Sequence, residues 1–327
     1  MTQPTPGATP GAKLGIGIPA YFRSTDLARL VDGLRRAAPD LAVTVIDDGP
    51  DPATAAALAA HVPPVRLIRH DTNQGYAQSF IELIETCETE YLLISADDDL
   101  CDADGLAGTR AALDAGAPDF AATQFHDRGG ALKRGRAVAG PVALTEIRDA
   151  SGHAPGLIYR AAPARAALPF LRARLDAGCY AARLYPQTLL VYVMALNGAA
   201  CQWLPVAPIR EGAANPARLA DSDGTAYDSP AARLREQEAF AAVFAAMAEA
   251  VPRAARARLD AVATLHAQDI YRRFMLALRL HHPDLVDTWI PGSLFYCRNS
   301  LPRHLLNLWA FRRARRRAEH VLRKEKP

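Results

Sequence analysis

The stretch Tyr91-Leu92-Leu93-Ile94-Ser95-Ala96-Asp97-Asp98-Asp99-Leu100 decides the fold class. Four apolar residues run without alternation and stop at three consecutive carboxylates. A short, continuously apolar run suits a strand covered on both faces, which is the habit of parallel sheets. Similar runs recur upstream and downstream, at Leu14–Ile18, Leu41–Ile46, Val65–Ile68 and Phe120–Phe125. Helical patterns lie between them. Thr25–Ala37 puts Leu27, Leu30, Val31 and Leu34 on one face, and Gly75–Cys87 spaces Tyr76, Phe80, Leu83, Ile84 and Cys87 by three and four. Asp51-Pro52 is an N-cap followed by proline at the first helical position. The spacing predicts an α/β core of repeated βαβ units.

The rest of the chain fits around that core. Of 327 residues, 50% are hydrophobic and 22% charged, which excludes global disorder. Apart from Met1 and Gln3, residues 1–12 are Thr, Pro, Gly and Ala, and they are expected to form a disordered tail without signal-peptide character. The five cysteines are odd in number and lack CxxC spacing, so neither a disulfide framework nor a structural zinc site is expected. The uncharged stretch Leu184–Ile209 is long enough to cross a bilayer but is interrupted by Pro186, Asn197-Gly198, Gln202, Pro205 and Pro208. It reads as a short buried helix, Gln187–Leu196, and a buried strand, Gln202–Ile209. A further strand is expected at Gly156–Arg160, a linker or loop at 213–230, and helices at about 231–249, 253–281 and 299–325.

Charge is distributed unevenly. Ten Lys and Arg against two Glu after residue 297 make the tail +8, whereas the whole chain is +3, leaving −5 for residues 1–297. In the tail, Leu301, Leu305, Leu306, Leu308, Trp309 and Phe311 precede the arginines of 312–317. Apolar and aromatic residues beside clustered arginine are what a helix needs to lie in an anionic membrane interface. No stacking module accompanies the charge, so nucleic acid is not an expected partner.

Ligands of open parallel sheets sit beyond the carboxyl ends of the strands, which makes the strand-closing residues informative. The first strand closes on Pro19-Ala20-Tyr21, the second on Asp47-Asp48-Gly49, the third on His70-Asp71 leading to Asn73-Gln74-Gly75, and the fourth on Asp97-Asp98-Asp99. Five carboxylates are thus expected at two neighbouring strand ends, and clustered carboxylates raise one another's pKa unless a cation neutralises them. Hard oxygen ligands select Mg2+ or Mn2+, which in turn hold a diphosphate. The pattern Gly15-x-Gly17-x-x-Ala20 invites a dinucleotide reading. Its glycines fall inside the strand rather than at the strand-to-helix turn, and that argues against it.

Taken in order, Ile16-Gly17-Ile18-Pro19-Ala20-Tyr21, Val45-Ile46-Asp47-Asp48-Gly49, Asn73-Gln74-Gly75 and Ile94–Leu100 resemble the motifs of glycosyltransferase family 2, over residues 13–212. The spelling Ser-Ala-Asp-Asp-Asp-Leu, with Gly156–Arg160 and Tyr185-Pro186, looks most like the abequosyltransferase-type bacterial enzymes. The resemblance implies a GT-A fold with an all-helical C-terminal extension. It implies a UDP- or CDP-type sugar donor, Mn2+ or Mg2+, and a saccharide acceptor, free or lipid-linked, in bacterial surface polysaccharide synthesis. Such an enzyme works in the cytoplasm, peripheral on the inner face of the membrane.

Position by position, Pro19 and Tyr21 would border the nucleotide, Asp47 or Asp48 would accept from the pyrimidine, and Asn73 and Gly75 would lie near ribose and diphosphate. Asp97 and Asp99 satisfy the DxD pattern, with Asp99 or Asp98 on the metal and Asp97 and Asp98 also near the nucleotide. Inverting members show a Glu-Asp pair before the helix that starts here near Gln187, and this chain has Leu184-Tyr185-Pro186-Gln187 instead. Asp127 beside His126, Asp176, Glu211 and Asp223 are the substitute base candidates, and Arg210 is a candidate diphosphate contact. A nucleotidyltransferase and a non-catalytic sugar-nucleotide binder remain as alternatives.

Overall fold

The computed structural model of the protein describes residues 13–49, 51–61, 63, 65–212, 229–251 and 253–281. The chain divides into two compact units, Met1–Ala214 and Asn215–Pro327.

The first unit is built on β1 (Leu14–Ala20), β2 (Ala42–Asp47), β3 (Arg66–Arg69), β4 (Tyr91–Ile94), β5 (Leu100–Cys101), β6 (Phe120–Thr123), β7 (Phe125–His126), β8 (Leu132–Arg134), β9 (Gly140–Pro141), β10 (Leu157–Arg160), β11 (Cys201–Leu204) and β12 (Ile209–Arg210). Its helices are α1 (Ser24–Ala37), α2 (Pro52–Leu58), α3 (Tyr76–Thr86), α4 (Ala103–Gly116), α5 (Ile147–Ser151), α6 (Ala161–Asp176), α7 (Tyr180–Leu184) and α8 (Pro186–Leu196). Eight strands form one sheet in the order β3-β2-β1-β4-β10-β6-β11-β9. β1 to β4 are mutually parallel, with β1 and β4 buried almost throughout and β3 only half-buried at the edge, and β6 is parallel to β11. β10 runs antiparallel between β4 and β6, and β9 runs antiparallel at the edge.

The apolar stripe of α1, Leu27, Leu30, Val31 and Leu34, is fully buried in the same core cluster as Ile16, Ile18, Val43 and Val45 of the sheet. Each such side chain contributes about 1.5–3 kcal/mol relative to exposure. Gly15 and Gly17 are packing residues: a Cβ on Gly15 would lie 2.7 Å from Thr89 Oγ1, and one on Gly17 would lie 2.9 Å from Leu83 Cδ2 of α3. They sit within β1 and take no part in a phosphate-binding turn.

Two expectations change in detail. The single strand expected over Gln202–Ile209 splits into β11, in the main sheet, and β12, which pairs with β5. Pro205 and Pro208 between them have no N–H to donate to a ladder. The two acidic strand ends are not adjacent either. β2 and β4 flank β1 on opposite sides, so the chain reverses its direction of travel across the sheet at β1. That is the topological switch point at which open α/β sheets bind ligands.

Among its described residues, the second unit consists of α9 (Pro230–Ala250) and α10 (Arg253–His281). Ser229 caps α9 by accepting from Ala232 N–H at 3.1 Å, with Pro230 opening the helix. Phe240, Val243, Phe244 and Met247 of α9 and Leu259, Val262, Ile270 and Phe274 of α10 are buried. Glu236, fully buried, is paired with Arg233 and with Arg273, which supplies the compensation a buried carboxylate needs. No helix among the described residues is long and apolar enough to cross a membrane. The expected helix at 299–325, with its arginines, lies outside the described residues, as do residues 1–12 and Asp223.

Candidate active site

The two aspartates that close β2 do different work. Asp48 Oδ1 accepts the Gln74 N–H at 2.7 Å and lies 2.7 Å from His70 Nδ1, while Asp48 Oδ2 accepts the Gly75 N–H at 2.8 Å. Asn73 Oδ1 accepts the same Gly75 N–H at 2.8 Å. Gly75, at φ +86°, is in the left-handed region that glycine tolerates, and it caps α3. Asp48 thus ties the Asn73-Gln74-Gly75 loop to the sheet. Beyond His70, Nε2 lies 2.7 Å from Glu82 Oε2. Burial pulls the imidazole pKa down, but the hydrogen bonds to Asp48 and Glu82 outweigh it and hold it above the usual histidine value.

Asp47 has no such engagement. It is fully buried, and among the described residues neither carboxylate oxygen accepts a well-aligned hydrogen bond. Arg69 Nε approaches Oδ2 at 3.3 Å. Burial pushes the carboxyl pKa up, against the pull of Gly49 N–H and Arg69. A buried carboxylate with unmet oxygens is costly unless a ligand completes it.

At the end of β4 the three aspartates also part ways. Asp97 Oδ2 accepts the Tyr21 N–H at 2.9 Å, tying the ends of β1 and β4 together, and its residue is 2% exposed. Asp99, 4% exposed, folds back so that Oδ2 accepts the Ala96 N–H at 2.8 Å. Burial first, with Asp98 and Asp97 adding, pushes the Asp99 pKa up to about 8. Asp98 has the most open side chain of the three, at 27%. It is paired with Arg23, whose Nη1 also lies 3.7 Å from Asp97 Oδ1. Pro19 and Tyr21 lie beside this point at the end of β1, with Tyr21 packed edge-on against Phe22 at 4.7 Å. A Cβ on Gly49 would meet the Phe22 ring at 2.6 Å and the Tyr21 ring at 3.1 Å.

β12 brings the next acid to the same edge. It pairs antiparallel with β5, directly after the aspartates, with Arg210 opposite Leu100. Gly212 presses against them: a Cβ there would lie 1.8 Å from the Asp98 carbonyl oxygen, so no larger residue fits. Glu211 N–H donates to the His126 carbonyl at 3.0 Å, and Glu211 Oε2 lies 2.9 Å from Lys133 Nζ, with Arg128 at 4.0 Å. The hydrogen bond from Lys133 leads in holding the Glu211 carboxyl below its usual range. Behind it, the buried Arg134 donates to the carbonyls of Thr123, His153 and Pro155 at 3.0, 2.5 and 2.7 Å.

The other base candidates are placed differently. Asp127 Oδ1 accepts the Ala131 N–H at 2.8 Å and shapes the β7–β8 turn. Asp176 is exposed at the last residue of α6. Arg210 is exposed. At the start of α8, Gln187 is buried, and among the described residues its Oε1 has no hydrogen-bond partner. Arg23, Arg69, His70, Lys133 and Gly212 were not singled out as site residues from the sequence. Arg23 and Lys133 find their carboxylates 74–78 positions away, and no local pattern signals that.

Among the described residues no group of three or more His, Cys, Asp or Glu side chains converges to hold a metal by itself. The donor set nonetheless suits a hard divalent ion that takes its remaining ligands from phosphate, because an all-carboxylate strand end holds one partly open acid, Asp98.

Residues 16–152 match the family model described as Glycosyl transferase family 2. No curated protein sequence matches the chain. Among solved structures, TarS 1-349 from S. aureus in complex with UDP-GlcNAc aligns with TM-score 0.59 at 18% identity, covering 92% of this chain and 81% of that one. The same TarS segment with UDP aligns with TM-score 0.57 at 16% identity, covering 96% and 92%. The mannosyltransferase PcManGT from Pyrobaculum calidifontis, in complex with GDP-Man and Mn2+, aligns with TM-score 0.50 at 16% identity, covering 92% and 80%. With its mostly parallel sheet and its acidic strand ends at the switch point, the first unit shares the fold of these solved glycosyltransferases, and its residues 16–152 match the family 2 model.

Proposed function

We propose that the protein transfers a hexosyl or deoxyhexosyl unit, with inversion, from a UDP- or CDP-sugar to a saccharide acceptor, free or lipid-linked, in bacterial surface polysaccharide synthesis. The observation that carries the reading is Asp47: a fully buried carboxylate at the switch point that has only the Arg69 guanidinium beside it and, among the described residues, accepts no well-aligned hydrogen bond. A pyrimidine ring N–H or amino group is the donor such a group needs. Asp48 is committed to the Gln74 and Gly75 N–H groups, which makes Asp47 the base reader and Asp48 the holder of the loop that lies along ribose and diphosphate. Pro19 and Tyr21 border the base, and Asn73 and Gly75 the phosphates. The nucleotide complexes of the structural relatives support a nucleotide-sugar donor.

Asp98 is the carboxylate that would hold Mn2+ or Mg2+, with Asp97 and Asp99 behind it. The ion would supply positive charge to the departing nucleoside diphosphate. Glu211 is the base candidate the geometry favours, because Gly212 packs on the Asp98 carbonyl. The acceptor O–H gives its proton to a Glu211 carboxylate oxygen as its oxygen bonds to the anomeric carbon. The bond from that carbon to the diphosphate oxygen breaks with its electron pair, and the nucleoside diphosphate leaves. Lys133 keeps Glu211 ionised for this role. The basic tail after residue 301 is assigned to an anionic membrane surface on the cytoplasmic side.

The test is a thermal-shift screen of UDP, CDP and GDP with and without Mn2+. Stabilisation by a pyrimidine diphosphate, enhanced by metal and lost in Asp47→Ala, supports the reading. Stabilisation by GDP equal to that by UDP would overturn the role of Asp47. The missing carboxylate before α8 favours one second reading, a non-catalytic sugar-nucleotide binder of the same fold. Binding without turnover by any acceptor would select it.

A further inference from the structure

Arg23 sets its guanidinium against both Asp98 and Asp97. We propose that Arg23 is the built-in counter-cation of the Asp97–Asp99 run, and that a divalent ion gains Asp98 only when a nucleoside diphosphate draws Arg23 away. The inference rests on the reading of Asp98 as the metal-facing carboxylate.

Three observations carry it. First, Arg23 Nη1 contacts Asp98 Oδ2 directly and lies 3.7 Å from Asp97 Oδ1, with the arginine side chain only 10% exposed. The arginine and its second partner, Asp97, are largely withdrawn from water, so losing the cation without replacement would leave buried charge uncompensated. Second, the backbone is arranged to deliver it. Phe22, just before it, has φ +53°, an uncommon conformation for a bulky aromatic residue. The preceding N–H, that of Tyr21, is held by Asp97 at 2.9 Å, so both sides of the strained residue are tied to the same run. Strain of this kind persists where surrounding contacts over-determine it. Third, the run in this state already has its oxygens engaged: Arg23 serves Asp98 and Asp97, and Asp99 Oδ2 accepts the Ala96 N–H at 2.8 Å.

A divalent ion arriving alone would share one carboxylate with a guanidinium, against like-charge repulsion. A diphosphate removes the conflict. Its oxygens take a guanidinium fork bidentately, better than one carboxylate oxygen does. Arg23 then moves its charge onto the donor, and Asp98 is released to the metal. Metal and nucleotide therefore bind with positive, reciprocal coupling. When the nucleoside diphosphate leaves, Arg23 returns to Asp98 and loosens the ion. Arg23 acts here as a positioning residue.

The experiment measures free Mn2+ by electron paramagnetic resonance during titration of the full-length protein, with and without saturating UDP. For the wild type, UDP is expected to tighten Mn2+ binding by about 10- to 100-fold, within the usual span of coupling between sites. Arg23→Met keeps the apolar stem and removes the charge. It should bind Mn2+ alone about 10-fold more tightly than the wild type and lose most of the gain from UDP. Arg23→Lys should restore part of the coupling, which separates charge from mere packing. Arg23→Met binding Mn2+ alone no more tightly than the wild type, with the UDP effect intact, overturns the inference while leaving the metal reading standing. Absence of Mn2+ binding in all three proteins, even with UDP, removes the metal reading and the inference together.

Discussion

Asp48 and His70 sit 2.7 Å apart at the ends of β2 and β3, and Glu82 holds the far side of the same imidazole at 2.7 Å. This clasp raises the His70 pKa although burial opposes it. A folded-state pKa above the unfolded value means that the folded chain binds the proton more tightly. The stabilisation is therefore complete below about pH 6.5 and is lost as pH rises through the folded value. His70→Gln should lower stability by about 1–3 kcal/mol at pH 6 and by less at pH 8.5, measured by denaturant melts. A pH-independent loss would show that the imidazole is not held as a cation.

Asp99 runs in the opposite sense to an ordinary surface acid. Its pKa of about 8 means that between roughly the usual aspartate value and pH 8 the folded chain holds a proton the unfolded chain has released. Stability of the metal-free protein should fall across that window. Asp99→Asn keeps an oxygen for the Ala96 N–H and removes the titration. The variant should melt higher than the wild type at pH 9 and match it near pH 4. Parallel melting curves at every pH would contradict the assignment.

Glu211→Gln preserves shape and a contact to Lys133 but cannot take a proton. Transfer from a radiolabelled donor should slow by about 10²- to 10⁴-fold, the usual contribution of a general base, with UDP affinity unchanged. Asp127→Asn and Asp176→Asn should transfer at near wild-type rates. A fast Glu211→Gln enzyme would return the base to another group.

Arg134 spends its guanidinium on the three carbonyls of Thr123, His153 and Pro155. A lysine offers one point of charge where the fork reached three, so Arg134→Lys should strand acceptors at about 1–3 kcal/mol each. The loss is read from the urea midpoint. A variant as stable as the wild type would mean that water replaces the fork.

The tail after Leu301 carries a membrane assignment from its sequence alone. Its arginines should contribute about 1 kcal/mol each at an anionic surface, screened by salt, while Trp309 and Phe311 add a contribution that salt leaves alone. Vesicle binding should fall but persist as salt rises, and removal of residues after 301 should abolish it without changing UDP affinity. A truncated protein that still sediments with anionic vesicles would end the assignment.

Much of the first unit was legible residue by residue. Unbroken apolar runs before acidic strand ends announced parallel strands, because only a sheet covered on both faces has no polar side to alternate with. The stripe of α1, the Asp51-Pro52 helix start and the misplaced glycines of β1 were readable for the same reason: each depends on neighbours within a few positions. Which carboxylate does what was decided only by tertiary structure. Asp47 and Asp48 are adjacent in sequence, yet a strand sends successive side chains to opposite faces, so Asp48 meets a loop 26 residues away and Asp47 is buried beside Arg69. Arg23 reaches Asp98 and Glu211 reaches the same edge because β1 lies beside β4 and β12 beside β5, pairings between segments 70 to 110 residues apart. Local periodicity records which face of a strand or helix is apolar. It carries no information about which distant charge will stand opposite, since that depends on strand order and on the closure of long loops.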